Sequence, residues 1–125
     1  RKNNKNIILN DFTNDVYNKI DSFNILLHLS DREGLSMSVL QSLSRGVPVI
    51  GHNIRGVNDL IMHGYNGYLF NKSDDVDNII KIITKLSNDK FHLQELSKNS
   101  IESVDEKFTT NYINKLIINF FDNIK

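Results

Sequence analysis

Glu33 and Gly34 lie where a polar loop turns into a predicted helix, and this junction is the part of the sequence best suited to chemistry. The unpaired N–H groups and the dipole at the start of a helix favour negative charge, and glycine lets a ligand approach the backbone closely. Gly34, Leu35 and Ser36 occupy this position. The pattern therefore predicts a binding site for a phosphate or diphosphate group.

Gln41 follows Glu33 by eight residues. At a rise of about 1.5 Å per residue, the two are roughly 12 Å apart if both are helical. That separation suits the length of a nucleotide sugar. Two structural alternatives stay open at this point: Gln41 as an exposed helix residue and Glu33 as a loop carboxylate that caps the helix.

Apolar strands on both sides of the helix must position this loop. Asn24–Leu29 is predicted as one strand, the helix ends at Gly46, and Val47–Ile50 is the next strand. Strands that are apolar on both faces are typical of parallel sheets covered by helices. The fold class is predicted to be α/β, with a partial doubly wound parallel sheet of about three to four strands flanked by helices.

The remaining pattern completes a single partial domain over residues 1–125. Further elements are predicted at a strand Ile7–Leu9, a helix from Val16 to about Ser22, a short helix Val57–Met62 and a strand Tyr68–Phe70. Asn66-Gly67 is the strongest turn signal. The chain then ends in two or three helices, from Asp74 or Asp75 to Asn88, over Phe91–Val104, and over 109–125.

A second polar loop follows the strand at Val47–Ile50. It is bracketed by Gly51 and Gly56, and ligands favour the carboxyl ends of strands in open α/β sheets. Arg55 and Gly56 are expected at the edge of the same cleft, although an arginine there equally suits a surface ion pair. Asp59 is interpreted as a residue that caps or pairs within the fold.

Composition excludes several classes of function. Fifteen basic and fifteen acidic side chains cancel, so no overall field attracts a nucleic acid. The absence of cysteine excludes disulfides, thiolate catalysis and cysteine-based metal sites. The histidines show no pair at ligand spacing, so packing or surface roles are predicted for them and no metal site is expected. They are His28, His52, His63 and His92.

Four linked blocks of sequence resemble glycosyltransferase family 4. They are HLSDREGLSMSVL, SRGVPVI, IRGVNDLI (Ile54–Ile61) and GYNGYLF (Gly64–Phe70), and the resemblance covers roughly Ile7 to Phe108. Within the family, the enzymes that build capsular and exopolysaccharides carry similar segments. Any one block alone would be a weak signal, whereas four in order make chance similarity improbable.

The resemblance implies a retaining glycosyltransferase of the hexosyltransferase type, with the two-domain GT-B fold. The chain is similar to the second half of the C-terminal domain, which binds a UDP- or GDP-linked sugar, and the acceptor domain is missing. A fragment of this kind is expected to be inactive alone. The resemblance also implies a glycan or lipid-linked acceptor in surface polysaccharide synthesis. It implies no cofactor and no metal ion. The full-length enzyme is expected to be cytoplasmic, with a peripheral position at the inner membrane face as one option.

The resemblance also suggests roles for individual residues. Glu33 matches the first acidic residue of a family motif and would contact hydroxyls of the donor sugar. Gln41 stands where the family has a second acidic residue, which contacts the ribose. A neutral amide makes weaker bonds than a carboxylate, so weaker or altered ribose recognition is expected. The other donor-binding candidates are Ser30, Gly34, Leu35, Ser36, Arg55 and Gly56. Ser30 equally suits a cap of the local turn.

The strand order usual for such sheets implies a gap in this chain. Ile7–Leu9 would be an edge strand, and the strands between it and Asn24–Leu29 are missing. An exposed parallel edge beside Ile25–Leu29 predicts self-association. Two other functions remain as alternatives: a non-catalytic α/β module that binds a partner through its last helix, and an unrelated doubly wound domain for a phosphorylated ligand.

Overall fold

A three-stranded parallel sheet flanked by helices forms the centre of the chain. The computed structural model describes residues 6–72 and 76–122. The predicted α/β fold class is confirmed. In chain order the elements are α1 (Val16–Ile20), β1 (Leu26–His28), α2 (Met37–Ser44), β2 (Val49–His52), β3 (Gly67–Phe70), α3 (Val76–Asn88), α4 (Lys90–Lys107) and α5 (Thr110–Asp122).

The strand order is β1-β2-β3, and both pairs are parallel. Leu26 pairs with Val49, which in turn pairs with Gly67. All four residues of β2 are buried, as is typical of a strand in a covered parallel sheet, and the strand lies two residues later than the predicted Val47–Ile50. A Cβ at Gly67 would overlap the carbonyl of Val49, so only glycine allows this close strand pairing.

Two hydrophobic clusters pack against β2. Val49 belongs to a cluster that contains Val39 and Leu43 of α2, and Ile50 belongs to a cluster that contains Leu86 and Leu96 of the later helices. Successive side chains in a strand point to opposite faces, so the two clusters lie on opposite sides of the sheet. Burying each of these aliphatic side chains contributes about 1.5–3 kcal/mol relative to leaving it exposed.

The predicted first strand is wrong. Ile7–Leu9 belongs to no strand, and its side chains are 65–86% exposed. A three-residue apolar segment gains little unless a neighbouring strand pairs with it, and β2 is the only described strand paired with β1. The segment therefore remains outside the sheet.

The predicted helix Val57–Met62 is also wrong, because the chain there forms consecutive turns. Val57 N–H donates to the Ile54 carbonyl at 3.1 Å and Ile61 N–H donates to the Val57 carbonyl at 3.0 Å, a mixture of short and long turns. Gly56 precedes them with φ +84°, a left-handed conformation that interrupts a helix.

The predicted turn before β3 is present, but its left-handed residue is Gly64, with φ +80°. Asn66 is fully buried instead. Its side chain accepts from Met62 N–H at 2.8 Å and donates to the Leu60 carbonyl at 3.0 Å and to Ser103 Oγ at 2.9 Å. Asn66 therefore ties the turn to α4.

The three terminal helices are confirmed, with small differences in their bounds. The helix α3 ends at Asn88 as expected, and its predicted caps at Asp74 or Asp75 lie outside the described residues. The helix α4 is longer than Phe91–Val104 at both ends, and Asp89 caps its start by accepting from His92 N–H at 3.0 Å. Over residues 6–72 and 76–122, no helix combines the length and apolarity needed to cross a membrane.

Candidate functional site

The loop between β1 and α2 contacts the turn that follows β2. Ser36 N–H donates to the Gly56 carbonyl at 3.3 Å, and a Cβ at Gly56 would overlap the carbonyl of Gly34. Gly56 also needs its φ of +84°, which side-chain-bearing residues rarely adopt. Two of the sequence blocks singled out above therefore meet at the carboxyl ends of neighbouring strands.

A shallow cavity of about 390 Å³ lies at this junction. Glu33, Gly34 and Leu35 line it from the loop, and Arg55 and Asp59 line it from the turn. Arg55 is exposed and is the cation of the cavity. Asp59 accepts from Gly56 N–H at 3.1 Å, as expected for a residue that pairs within the fold.

The start of α2 faces this loop without a side-chain cap. Ser36 is the N-cap residue, but its hydroxyl makes no capping bond. It lies 3.1 Å from His28 Nε2 and 3.2 Å from Ser38 Oγ, and Ser36 is only 1% exposed. In the described part of the chain, the backbone N–H groups of Gly34 and Leu35 donate to no protein acceptor. The first-turn N–H groups and those of the loop are thus available to an anion.

Glu33 is held from below by a buried histidine. Glu33 Oε1 lies 3.1 Å from His28 Nε2, with the glutamate side chain 27% exposed and the histidine 8%. His28 ends β1, and its other ring nitrogen, Nδ1, is buried with no hydrogen-bond partner in the described structure. Glu33 thus contacts the interior and lines the cavity at the same time.

A second buried histidine holds the start of the loop. His52 ends β2, and its Nδ1 lies 3.2 Å from the Ser30 carbonyl and 3.5 Å from Asp31 Oδ1. Its ring stacks on Phe70 with centroids 5.3 Å apart. The sequence predicts packing or surface roles for the histidines, and it does not reveal that His28 and His52 anchor the loop. The available signal was that each histidine lies within two residues of the end of a predicted strand, at the edge of the sheet where ligands bind.

Gln41 lies one turn beyond the start of α2 and is half-buried. It does not line the cavity that contains Glu33 and Arg55. Its side-chain amide makes no hydrogen bond to another residue that the structure describes. Of the predicted site residues, the structure thus brings together Glu33, Gly34, Leu35, Arg55 and Gly56, with Ser30 and Ser36 in the supporting loop.

The described ranges contain no group of three or more histidine, aspartate or glutamate side chains that could hold a metal ion. The arrangement offers backbone donors, a helix start, one exposed cation and one anchored carboxylate. These groups suit a ligand with an anionic diphosphate at one end and hydroxyl groups nearby.

Comparison with known proteins finds relatives that match most of this chain. An Escherichia coli relative, UDP-Gal:alpha-D-GlcNAc-diphosphoundecaprenol alpha-1,3-galactosyltransferase, is 30% identical over 95 residues, which are 76% of this chain and 24% of the relative. The chain spans only 20–29% of the length of the curated relatives that it matches.

Solved structures show the same fold. The structure of Anabaena HepE in complex with UDP-glucose superposes with a TM-score of 0.76 at 20% identity, over 90% of this chain and 31% of that chain. The C-terminal domain of a group 1 glycosyl transferase (LpcC) from Francisella tularensis superposes with a TM-score of 0.71 at 19% identity, over 83% of this chain and 53% of that domain. The expected GT-B type of fold is confirmed.

The family model described as Glycosyl transferases group 1 matches residues 1–103. This match spans most of the chain, including the loop, the cavity and all three strands. The chain belongs to the group 1 glycosyltransferase family.

Proposed function

We propose that this chain is the donor-binding part of a retaining glycosyltransferase that transfers a sugar from a nucleoside diphosphate to a glycan or lipid-linked acceptor. The proposal includes a role in surface polysaccharide synthesis by a cytoplasmic enzyme, peripheral at the inner membrane face. The observation that carries it is the contact between the Glu33–Gly34 loop and the Arg55–Gly56 turn beside the uncapped start of α2.

The diphosphate would bind at the start of α2. Backbone N–H groups of Gly34 and Leu35 and the helix dipole supply partial positive charge, and Arg55 supplies a full one. A hydrogen bond to a charged group contributes about 1.5–3 kcal/mol, and Arg55 would add the attraction between two full charges. No atom lies within 4 Å of a Cβ placed at Gly34, which leaves room for the ligand.

Glu33 would accept from hydroxyls of the donor sugar. One of its oxygens is bound to His28, and the other is left for the ligand at the cavity wall. Gln41 would contact the ribose with an amide that both accepts and donates. Because neutral hydrogen bonds are weaker than charge-assisted ones, this contact contributes less than a carboxylate would.

In the transfer, the bond between the anomeric carbon and the diphosphate oxygen breaks. The acceptor oxygen gives its proton to the leaving diphosphate and bonds to the same carbon with retained configuration. This chain would stabilise the leaving diphosphate through the helix start and Arg55, with no metal ion in the proposal. Residues near the acceptor would come from the other domain of the enzyme, so the chain alone is expected to be inactive.

UDP is the proposed nucleotide, with GDP as the alternative. The galactosyltransferase relative carries UDP-Gal in its name, and the HepE structure holds UDP-glucose. Both findings concern those two proteins. They support UDP as the nucleotide of this chain because the HepE structure has the same fold as this chain.

Calorimetric titration of the intact enzyme with UDP, GDP and their sugars tests the proposal. We expect UDP and at least one UDP-sugar to bind, and Arg55→Gln to weaken UDP binding about tenfold through loss of a charge-assisted bond. Arg32→Gln is the matched control, because Arg32 is exposed in the same loop and does not line the cavity. Absence of binding by every nucleotide would reject the donor site and favour the non-catalytic module.

A further inference from the structure

We infer that His28 is a positioning residue that holds the carboxylate of Glu33 for the donor sugar, an inference that rests on the proposed function. His28 does not line the cavity and would not touch the ligand. It would act through Glu33 alone. The inference is drawn from the placement of one buried ring between a strand end and the loop above it.

The fold places His28 beneath the loop. It is the last residue of β1, where the exposed Leu27 and the buried His28 alternate between the faces of the sheet. Its Nε2 lies 3.1 Å from Glu33 Oε1 and 3.1 Å from Ser36 Oγ. Nε2 of His28 therefore faces both Glu33 in the loop and Ser36, the N-cap residue of α2.

The chemistry of the partners determines where the ring carries its hydrogen. An ionised carboxylate only accepts, so Nε2 must carry the hydrogen that Glu33 receives, and the Ser36 hydroxyl shares that donor or turns to Ser38. In the neutral ring, Nδ1 then holds a lone pair that is buried and has no partner in the described structure. Buried polar atoms are rarely left unpaired. The hydrogen bond from Nε2 to Glu33 gives a reason why the unpaired Nδ1 of His28 is tolerated.

Glu33 needs such a partner because it lies on a loop. A glutamate side chain has three rotatable bonds, and an unanchored one would sample positions away from the ligand. The bond to His28 fixes one carboxylate oxygen at the floor of the cavity. The other oxygen is then presented to a hydroxyl group, while the carboxylate stays back from the anionic diphosphate.

This arrangement predicts a specific effect on recognition. Loss of His28 should weaken binding of the sugar but not of the nucleotide, because the diphosphate contacts do not involve Glu33. The quantity that reports on it is the ratio of the affinities for a UDP-sugar and for UDP. A general loss of structure would lower both affinities together.

The experiment titrates the intact enzyme with UDP, UDP-glucose, UDP-galactose and UDP-N-acetylglucosamine. For the UDP-sugar that binds the wild-type enzyme most tightly, we expect His28→Leu to lower the affinity about tenfold, because one charge-assisted hydrogen bond is lost. The affinity for UDP should change by no more than about twofold. His28→Gln should restore most of the loss, because its amide can donate to Glu33. The double variant His28→Leu/Glu33→Ala should bind no more weakly than Glu33→Ala, because both changes remove one contact.

Ser42→Ala is the matched control. Its hydroxyl is the other buried side-chain atom without a partner in the described residues, and Ser42 lies on α2 with 1% exposure. We expect both affinities to remain unchanged. A second readout needs no ligand: ¹⁵N NMR of labelled histidine should show His28 with its hydrogen on Nε2, and Glu33→Gln should shift that signal.

The outcomes separate this inference from the proposed function. If the enzyme binds UDP and UDP-sugars but His28→Leu leaves their ratio unchanged, the role of His28 is refuted and the donor site stands. An NMR spectrum that places the hydrogen of His28 on Nδ1, and none on Nε2, would also refute the role of His28. This measurement uses the wild-type enzyme, so it applies even if His28→Leu fails to fold. If the wild-type enzyme binds no nucleotide, the proposed function fails, and the inference fails with it.

Discussion

Gly34 and Gly56 contact each other in the candidate site, but the structure explains the presence of glycine at the two positions in different ways. A Cβ at Gly56 would overlap the Gly34 carbonyl, and the backbone there is left-handed. A Cβ at Gly34 would meet no atom within 4 Å. Packing within the chain therefore explains Gly56, whereas Gly34 has no such packing reason and suits the proposed approach of a ligand to the backbone.

Gly34→Ala is expected to weaken UDP binding by the intact enzyme by about tenfold, because the methyl group occupies the space of the diphosphate. Its thermal unfolding should remain unchanged. Gly56→Ala, the matched comparison, should lower the free energy of unfolding by at least about 1–2 kcal/mol from the left-handed conformation alone. Unchanged UDP affinity in Gly34→Ala would show that no ligand approaches this backbone.

Gln41→Glu is expected to increase UDP affinity up to about tenfold. A carboxylate can accept from both ribose hydroxyls with charge assistance, and such bonds are about twice as strong as neutral ones. Calorimetry with UDP measures the change. Gln94→Glu is the control, because Gln94 is exposed on α4 and should leave affinity unaltered. Equal affinities for wild type and Gln41→Glu would exclude Gln41 as the ribose contact.

Most residues of the cavity could be predicted from the sequence because their signal is local. A glycine at a helix start and a polar loop after a strand are visible in the order of residues. The anchors His28 and His52 could not be predicted, because their partners depend on the register of neighbouring strands and on how the loop folds over them. Residue type alone does not distinguish an anchoring histidine from a packed one.

At the scale of elements, an ion pair joins the ends of α1 and α2. Arg45 Nε lies 2.6 Å from Asp21 Oδ1, and each residue is the C-cap of its helix. The Arg45 guanidinium hydrogen-bonds to the carboxylate and holds the pKa of Asp21 below its usual value near 3.8. The same bond raises the pKa of Arg45.

Asp21→Asn should therefore lower the melting temperature slightly at neutral pH, since exposed ion pairs contribute little. Because the pKa of Asp21 is lower in the folded chain than in the unfolded chain, the ion pair stabilises the fold at pH values above the unfolded-state pKa. This stabilisation is lost as the pH falls through the folded-state pKa. The difference between wild type and variant should narrow below pH 3.8. Melting curves over an acid series measure it, and a difference that widens in acid would contradict the assignment.

Asn66→Ala should be among the most destabilising single changes, because it removes three hydrogen bonds in a fully buried position. Leaving buried groups unpaired costs about 1–3 kcal/mol each, so a loss of at least about 2 kcal/mol is expected in denaturant unfolding. Asn58→Ala is the control, because Asn58 is exposed and makes one side-chain bond, to Asn53. Equal stability of the two variants would show that Asn66 does not tie the turn to α4.

Elements with a strong local period were predictable, and those that depend on a partner were not. The stripe of α3 and the apolar run of β2 identify a helix and a buried strand by themselves. Ile7–Leu9 is equally apolar, but a strand forms only where another strand accepts its hydrogen bonds. Val57–Met62 forms turns and not the predicted helix, and the left-handed Gly56 before it lies against Gly34, a contact that the order of residues does not reveal.

At the scale of the whole described chain, β1 is an edge of the three-stranded sheet. It pairs with β2 on one side, and no described strand lies on its other side. Leu27 and Leu29 are 40% and 61% exposed beside this edge. Unpaired backbone groups next to exposed apolar side chains form a template for pairing with another chain. The geometry thus agrees with the exposed edge that the sequence predicted.

We expect the 125-residue chain to self-associate through β1 as its concentration rises, and Leu27→Lys to prevent this, because a lysine at an edge repels its copy and disfavours strand pairing. Sedimentation velocity over a concentration series measures the fraction of dimer. Phe91→Lys is the matched control, since Phe91 is 86% exposed on α4 and belongs to no strand, and it should leave association unchanged. A wild-type chain that stays monomeric throughout the series would show that the edge is protected, and equal loss of dimer in both variants would place the contact elsewhere.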